Sequence, residues 1–123
     1  MTTKPLICVV EDNESVRVSL ELLIKTWGFG AKLFQSAEDL LANGGEERFD
    51  CLILDFNLPG IDALELISRL RDESRSAPTI VVSGTLDDIK SKLLHDSGVV
   101  AVLGKPVMGE QLLSVVEQAV QGS

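Results

Sequence analysis

The chain has 123 residues, 45% of them hydrophobic and 24% charged, with a formal net charge of -8 at pH 7. That length carries one domain, read here as residues 1–123, with a real core, and the acidic balance argues against direct binding of nucleic acid or an anionic membrane by bulk attraction. No apolar run approaches the ~20 residues of a membrane span and no basic leader precedes one, which points to a cytoplasmic location.

Leu6 to Val10 is an apolar, β-branched run that stops at Glu11-Asp12-Asn13, residues that favour a turn and a helix start. Val16, Leu20, Leu23 and Trp27 then follow the helical period while Glu14, Arg17, Glu21 and Lys25 face elsewhere, and Gly28 closes the helix. Phe29 to Phe34 reads as a weaker strand, and Ser36 with Asp39 offers a capping box for a short helix to Ala42, ended by Asn43-Gly44-Gly45. Cys51 to Leu54 is an uninterrupted apolar run that suits a strand buried on both faces. It ends abruptly on Asp55, and Pro59-Gly60 punctuates the turn that follows.

Ile61, Leu64, Ile67 and Leu70 stripe the next helix, with Arg69, Arg71 and Asp72 outward, and Ser74 to Pro78 breaks the chain. Thr79 to Val82 is another buried strand, ending on Ser83-Gly84. Leu86, Ile89 and Leu93 mark a helix that begins with Asp87 and Asp88, where negative charge suits the N-terminus, and Gly98 stops it. Val99 to Leu103 is the fifth strand and runs into Gly104-Lys105-Pro106. Leu112, Leu113, Val116 and Val120 line a last helix that fades into Gln121-Gly122-Ser123. Cys8 and Cys51 lie inside strand-like runs and read as small buried hydrophobes. Trp27 reads as packing, and His95, Glu46-Glu47 and Asp87-Asp88 as surface groups.

Strands and helices alternate strictly, which implies an α/β fold: a doubly wound parallel sheet with right-handed crossovers and helices on both faces. All strands then point their C-terminal ends at one edge, and Glu11-Asp12, Asp55-Asn57, Ser83 and Lys105 meet there. Taken singly, Asp55 is a turn carboxylate, Asp12, Asn13 and Ser83 are helix caps and Lys105 is a solvated lysine; their joint placement at strand ends reverses that. Three converging carboxylates either raise a pKa or invite a divalent cation, and the cation is the better answer. An oxygen-rich site with few protein ligands suits Mg²⁺.

Glu11-Asp12 after the first strand, Asp55-Phe56-Asn57-Leu58-Pro59-Gly60 after the third, Ser83-Gly84 after the fourth and Lys105-Pro106 after the fifth together resemble the receiver domains of two-component response regulators. The resemblance covers essentially the whole chain. It implies a flavodoxin-like (βα)5 fold of five strands in the order 2-1-3-4-5. It also implies a phosphorylation-switched module: Asp55 is the nucleophile that accepts a phosphoryl group from the phosphohistidine of a histidine kinase or histidine phosphotransfer protein. Lys105 and the Ser83 hydroxyl serve the phosphoryl oxygens. Mg²⁺, for which Mn²⁺ can substitute, is held by Asp12 and Asp55 through side chains, by Asn57 through its backbone carbonyl and by Glu11 through water.

On the same basis Asn57 and Thr85 flank the phosphorylation site and influence the phosphoryl lifetime, and the Lys105-Pro106 peptide is cis. Phosphorylation draws Ser83 inward, and the face of the fourth helix, fifth strand and fifth helix changes its contacts with an output protein or a second copy. The chain departs from the family pattern at three places. Ser83 stands where many members carry threonine, Glu11 stands for the commoner aspartate, and Val102 stands where the family often has Tyr or Phe, so an aromatic rotamer switch is impossible there.

No external enzymatic activity is expected beyond self-phosphorylation and slow autodephosphorylation. A stand-alone receiver switched by phosphorylation is the leading expectation, and the receiver of a longer DNA-binding regulator and a degenerate scaffold are the nearest alternatives. An aspartate-nucleophile phosphatase of the haloacid-dehalogenase type needs a second acid two residues after the nucleophile, where this chain has Asn57. A flavin or nucleotide binder needs a Gly-rich phosphate loop after the first strand, where this chain has Glu11-Asp12.

Overall fold

Strands β1 (Leu6–Val10), β2 (Gly30–Phe34), β3 (Cys51–Asp55), β4 (Thr79–Ser83) and β5 (Ala101–Gly104) pair in parallel, in the order β2-β1-β3-β4-β5. Between and after them lie α1 (Glu14–Thr26), α2 (Ala37–Asn43), α3 (Ala63–Asp72), α4 (Asp88–Asp96) and α5 (Gly109–Gln121). The parallel alternation is what the sequence pattern implies, and the strand order is the one that the resemblance implies. The structure is a computed structural model and describes residues 4–43, 48–84 and 87–121. The Gly44-Gly45 helix stop, the surface acids Glu46-Glu47, the lifetime position Thr85, the stripe residue Leu86 and the terminal Gly122-Ser123 lie outside the described residues.

Alternation along the strands splits the interior in two. Cys8, Val10, Leu52, Leu54 and Val81 pack with Leu40 of α2, Leu66 and Leu70 of α3 and Leu94 of α4. Ile7, Val9, Cys51, Ile53 and Ile80 pack with Ile24 of α1 and Leu112 and Val116 of α5. Each large aliphatic side chain removed from water in this way contributes about 1.5–3 kcal/mol. The central strand β3 is buried along its whole length, whereas the edge strands β2 and β5 are only partly covered, which is why β2 reads as a weak strand.

Helix ends follow local chemistry. Asn13, Asp62 and Asp87 cap α1, α3 and α4, their side-chain oxygens accepting the N–H groups of Val16, Glu65 and Lys90. Ser36 Oγ accepts from the Asp39 N–H at 3.0 Å, the forward half of the expected capping box. Gly28 and Gly98 take positive φ just after α1 and α4, as the sequence stops require.

The structure corrects several stripes. In α1 the fully buried residue is Ile24, while Val16, Leu20, Leu23 and Trp27 are half-buried around it. In α3 the buried set is Ala63, Leu66, Ile67 and Leu70; Ile61 precedes the helix and Leu64 is half-buried. In α4 Leu94 is buried, while Ile89 is 75% and Leu93 48% exposed. α5 buries Leu112, Val116 and Ala119 and leaves Leu113 and Val120 half-buried. The fifth strand begins at Ala101, two residues later than expected, although Val99 is buried and the Val100 N–H already reaches Thr79 O at 2.8 Å. These shifts share one cause: apolar periodicity marks a helix but does not say which residues of a broad stripe meet a twisted sheet.

Candidate functional site

The C-terminal edge of the sheet is pinned by hydrogen bonds that continue the ladder past the strands. The Glu11 N–H donates to Phe34 O at 3.1 Å, the Phe56 N–H to Val82 O at 2.8 Å and the Lys105 N–H to Ser83 O at 2.9 Å. Each acid or base of the rim therefore leaves a strand end whose backbone direction is already fixed. Asp55 closes β3 and is 8% exposed; Glu11 follows β1 and is 4% exposed; Ser83 closes β4 and is 1% exposed. Asp12 and Asn57 stand at the surface above them.

Side chains then converge as the sequence implies. Lys105 Nζ lies 2.9 Å from Asp55 Oδ2 and 3.5 Å from Glu11 Oε1. Glu11, Asp12 and Asp55 each offer a carboxylate oxygen, and these oxygens lie within 4.8 Å of one another. The loop N–H groups complete the arrangement: Asn57 donates to Asp55 Oδ1 at 3.0 Å and Asn13 to Glu11 Oε2 at 3.1 Å. In the ladder Asp55 pairs with Val82, so Ser83 begins one residue beyond it on the neighbouring strand. Ser83 is buried, because β3 and β5 flank β4 on either side.

Electrostatics follow from these distances. Burial pushes the Glu11 carboxyl above its ordinary value, and neighbouring Asp12 and Asp55 add to the rise against the opposing Asn13 N–H and the Lys105 charge. Partial burial works against the Lys105 ammonium, but the hydrogen bond and charge of Asp55, with Glu11 adding to them, outweigh it and hold its pKa above the ordinary lysine value. One ammonium thus faces a group of carboxylates. An oxygen-only donor set of this kind, with surplus negative charge and open access through Asp12, fits a hard divalent cation such as Mg²⁺. The Lys105-Pro106 peptide is cis, as expected. Beside the rim an apolar cavity of about 450 Å³ opens between α1 and the start of α5, lined by Val16, Leu20, Pro106 and Val107, with Asp55 and Lys105 at its edge.

A family model described as the response regulator receiver domain matches residues 7–117. The chain belongs to this family. Similar receiver domains include that of the transcriptional regulatory protein FixJ of Bradyrhizobium diazoefficiens, 31% identical over 98% of this chain and 59% of that protein. Among solved structures, the FixJ N-terminal receiver superposes with a TM-score of 0.88 at 29% identity, covering 99% of this chain and 98% of that one. A receiver protein from Pseudomonas putida gives 0.84 at 32% identity, covering 96% and 99%. The chain spans about half the length of the curated relatives it matches.

Three residues of this receiver escape a reading of the sequence. Arg17 does not simply face outward from α1: its Nη1 reaches back to Glu11 O at 2.9 Å and Asp12 O at 3.1 Å and ties the acidic loop to the helix. A basic residue one turn inside a helix that follows an acidic pair is the signal that would have found it. Glu38 of α2 accepts the Ile61 N–H at 3.3 Å and occupies the space that a side chain at Gly60 would fill, where φ is +75°. Lys90 of α4 lies over the Phe56 ring, 5.3 Å from its centroid. These last two contacts join segments far apart in sequence and have no local signature.

Proposed function

We propose that Asp55 is the phosphoacceptor of a two-component or phosphorelay pathway, taking a phosphoryl group from the phosphohistidine of a histidine kinase or histidine phosphotransfer protein. The observation that carries this reading is the 2.9 Å approach of Lys105 Nζ to Asp55 Oδ2, with the Glu11 and Asp12 carboxylates alongside. An Asp55 oxygen attacks phosphorus, the P–N bond breaks, and the imidazole keeps the electron pair and takes a proton from solvent. Lys105 shifts from the carboxylate to the phosphoryl oxygens, and the Ser83 hydroxyl at the end of β4 follows them. The cavity beside Pro106 gives an incoming imidazole an apolar approach to Asp55.

Asp12 and Asp55 would hold Mg²⁺ through their side chains, with the Asn57 carbonyl and Glu11 completing the protein's share. Bound there, the ion supplies charge neutralisation on the transferring oxygens. Glu11 and Asp12 otherwise repel an incoming phosphate.

The face of α4, β5 and α5 presents Ile89, Leu93 and Val100 to solvent and is the natural output surface toward an output protein or a second copy. Several relatives are named as transcriptional regulators, which favours the receiver of a longer regulator over a stand-alone switch. In that reading nucleic acid is met by another domain, the location is cytoplasmic, and the chain has no enzymatic activity beyond its own phosphorylation and slow autodephosphorylation. Among the described residues no helix is long and apolar enough to cross a membrane.

Incubation with acetyl phosphate or phosphoramidate and Mg²⁺, followed by intact mass, tests the assignment. One acid-stable, base-labile phosphoryl adduct is expected, absent in Asp55→Asn and in the presence of EDTA. Labelling on a histidine, or labelling without a metal, overturns it.

A further inference from the structure

The rim has to inform the surface, and Val102 leaves the chain without an aromatic side chain at the position that often serves this purpose in the family. Val102 instead packs, half-buried, against the hydrophobic cluster beneath α4. Another route lies in the contacts between α4 and the loop after β3. Phe56 directly follows Asp55, its N–H is fixed to Val82 O, and its ring packs half-buried against the same cluster. Over that ring stands the Lys90 ammonium. The Lys90 backbone N–H is held by the capping carboxylate of Asp87 at 2.8 Å, so the side chain and the first turn of α4 move together. The rest of α4 is lightly held: Leu94 is buried, and the Arg71 guanidinium reaches Ser97 O beyond the far end.

We propose that Lys90, seated over Phe56, is the positioning residue through which the charge on Asp55 sets the placement of the first turns of α4. The proposal rests on Asp55 being the phosphoacceptor. A phosphoryl group there replaces the single charge of the Asp55 carboxylate with about -1.5 to -2, a net gain of about half to one negative charge, one residue from the ring that Lys90 covers. The ammonium is drawn toward that charge and carries the helix start with it. Asp87 and Asp88 in the same turn are repelled, so without Lys90 the phosphoryl group loosens the helix that it otherwise holds.

Lys90→Met keeps the stem and removes the cation; Lys90→Arg keeps a cation suited to an aromatic face. Each is compared with the unsubstituted chain by amide hydrogen exchange across residues 88–96, with and without acetyl phosphate and Mg²⁺, while intact mass reads the adduct separately. Exchange in α4 should slow on phosphorylation in the parent and in Lys90→Arg, and should stay unchanged or quicken in Lys90→Met. Before phosphorylation Lys90→Met should exchange about two- to five-fold faster, the size expected from an exposed cation–π contact. If the adduct forms in all three chains and α4 responds alike, the coupling is wrong and the phosphoacceptor stands. If no adduct forms in the parent, both fall.

Discussion

α3 buries Ala63, Leu66, Ile67 and Leu70 against the sheet, whereas α4, which follows the neighbouring strand on the same face, buries Leu94 and leaves Ile89 and Leu93 in solvent. The two helices have similar lengths and both start from an aspartate cap. Position separates them: α3 follows the fully buried central strand β3, and α4 leads into the half-covered edge strand β5. The loop that carries Asp55 is thus clamped by a well-buried helix behind it, while the loop after Ser83 opens into a helix with little to lose by moving. A switch needs both, a fixed rim for the chemistry and an adjoining element whose local stability is low.

The sharpest way to break this comparison is to empty the strong helix. Leu66→Ala should cost about 2–5 kcal/mol, because it removes a fully buried side chain and leaves a cavity; a urea midpoint unmoved by the change would show that α3 is not the clamp. At the rim, Lys105→Ala should slow adduct formation by about 10²–10³-fold, the range seen when one preorganised charge-stabilising donor is lost. Intact-mass time courses measure it, and a rate within a few-fold of the parent would remove Lys105 from the chemistry.

A smaller effect sharpens the electrostatics. Burial holds the Glu11 carboxyl above 4.5 in the folded chain, so the folded state binds that proton more readily than the unfolded one, and the ionised group works against the fold at neutral pH. Glu11→Gln should therefore raise the Tm of the metal-free protein, and its advantage should shrink as pH falls through the raised folded value toward 4.5. Lys105, held above 10.5, contributes equally across that range. A Tm difference independent of pH would contradict the burial of an ionisable Glu11. Smallest of all, Ile89→Ser should change stability by less than about 0.5 kcal/mol, as for any exposed site, and leave the phosphorylation rate alone. A larger loss would mean that α4 is packed after all.

Much of the rim was legible because its chemistry is local to strand ends. An apolar run that stops on an acid, a hydroxyl or a lysine is visible in one dimension, and the rule that parallel strands end at one edge then brings Glu11, Asp12, Asp55, Ser83 and Lys105 together. What stayed hidden depends on reach across the fold. Arg17 reads as an outward charge because its carbonyl partners belong to a turn that forms only with the helix. Glu38 and Lys90 act on the loop after β3 from segments many residues away. The α4 stripe is ambiguous in one dimension because Ile89, Leu93 and Leu94 all satisfy a helical spacing, and the edge position of β5 chooses which of them is covered.

Cys8 and Cys51 stand on adjacent strands but in opposite halves of the interior, both without solvent access, and burial pushes the Cys51 thiol up to about 12. Neither sulfur is within range of an oxidant or an alkylating dye while its layer stays shut. Each is therefore a built-in reporter: the rate at which a thiol reagent marks Cys51 times the opening of the layer under α1 and α5, and the rate at Cys8 times the layer under α2, α3 and α4.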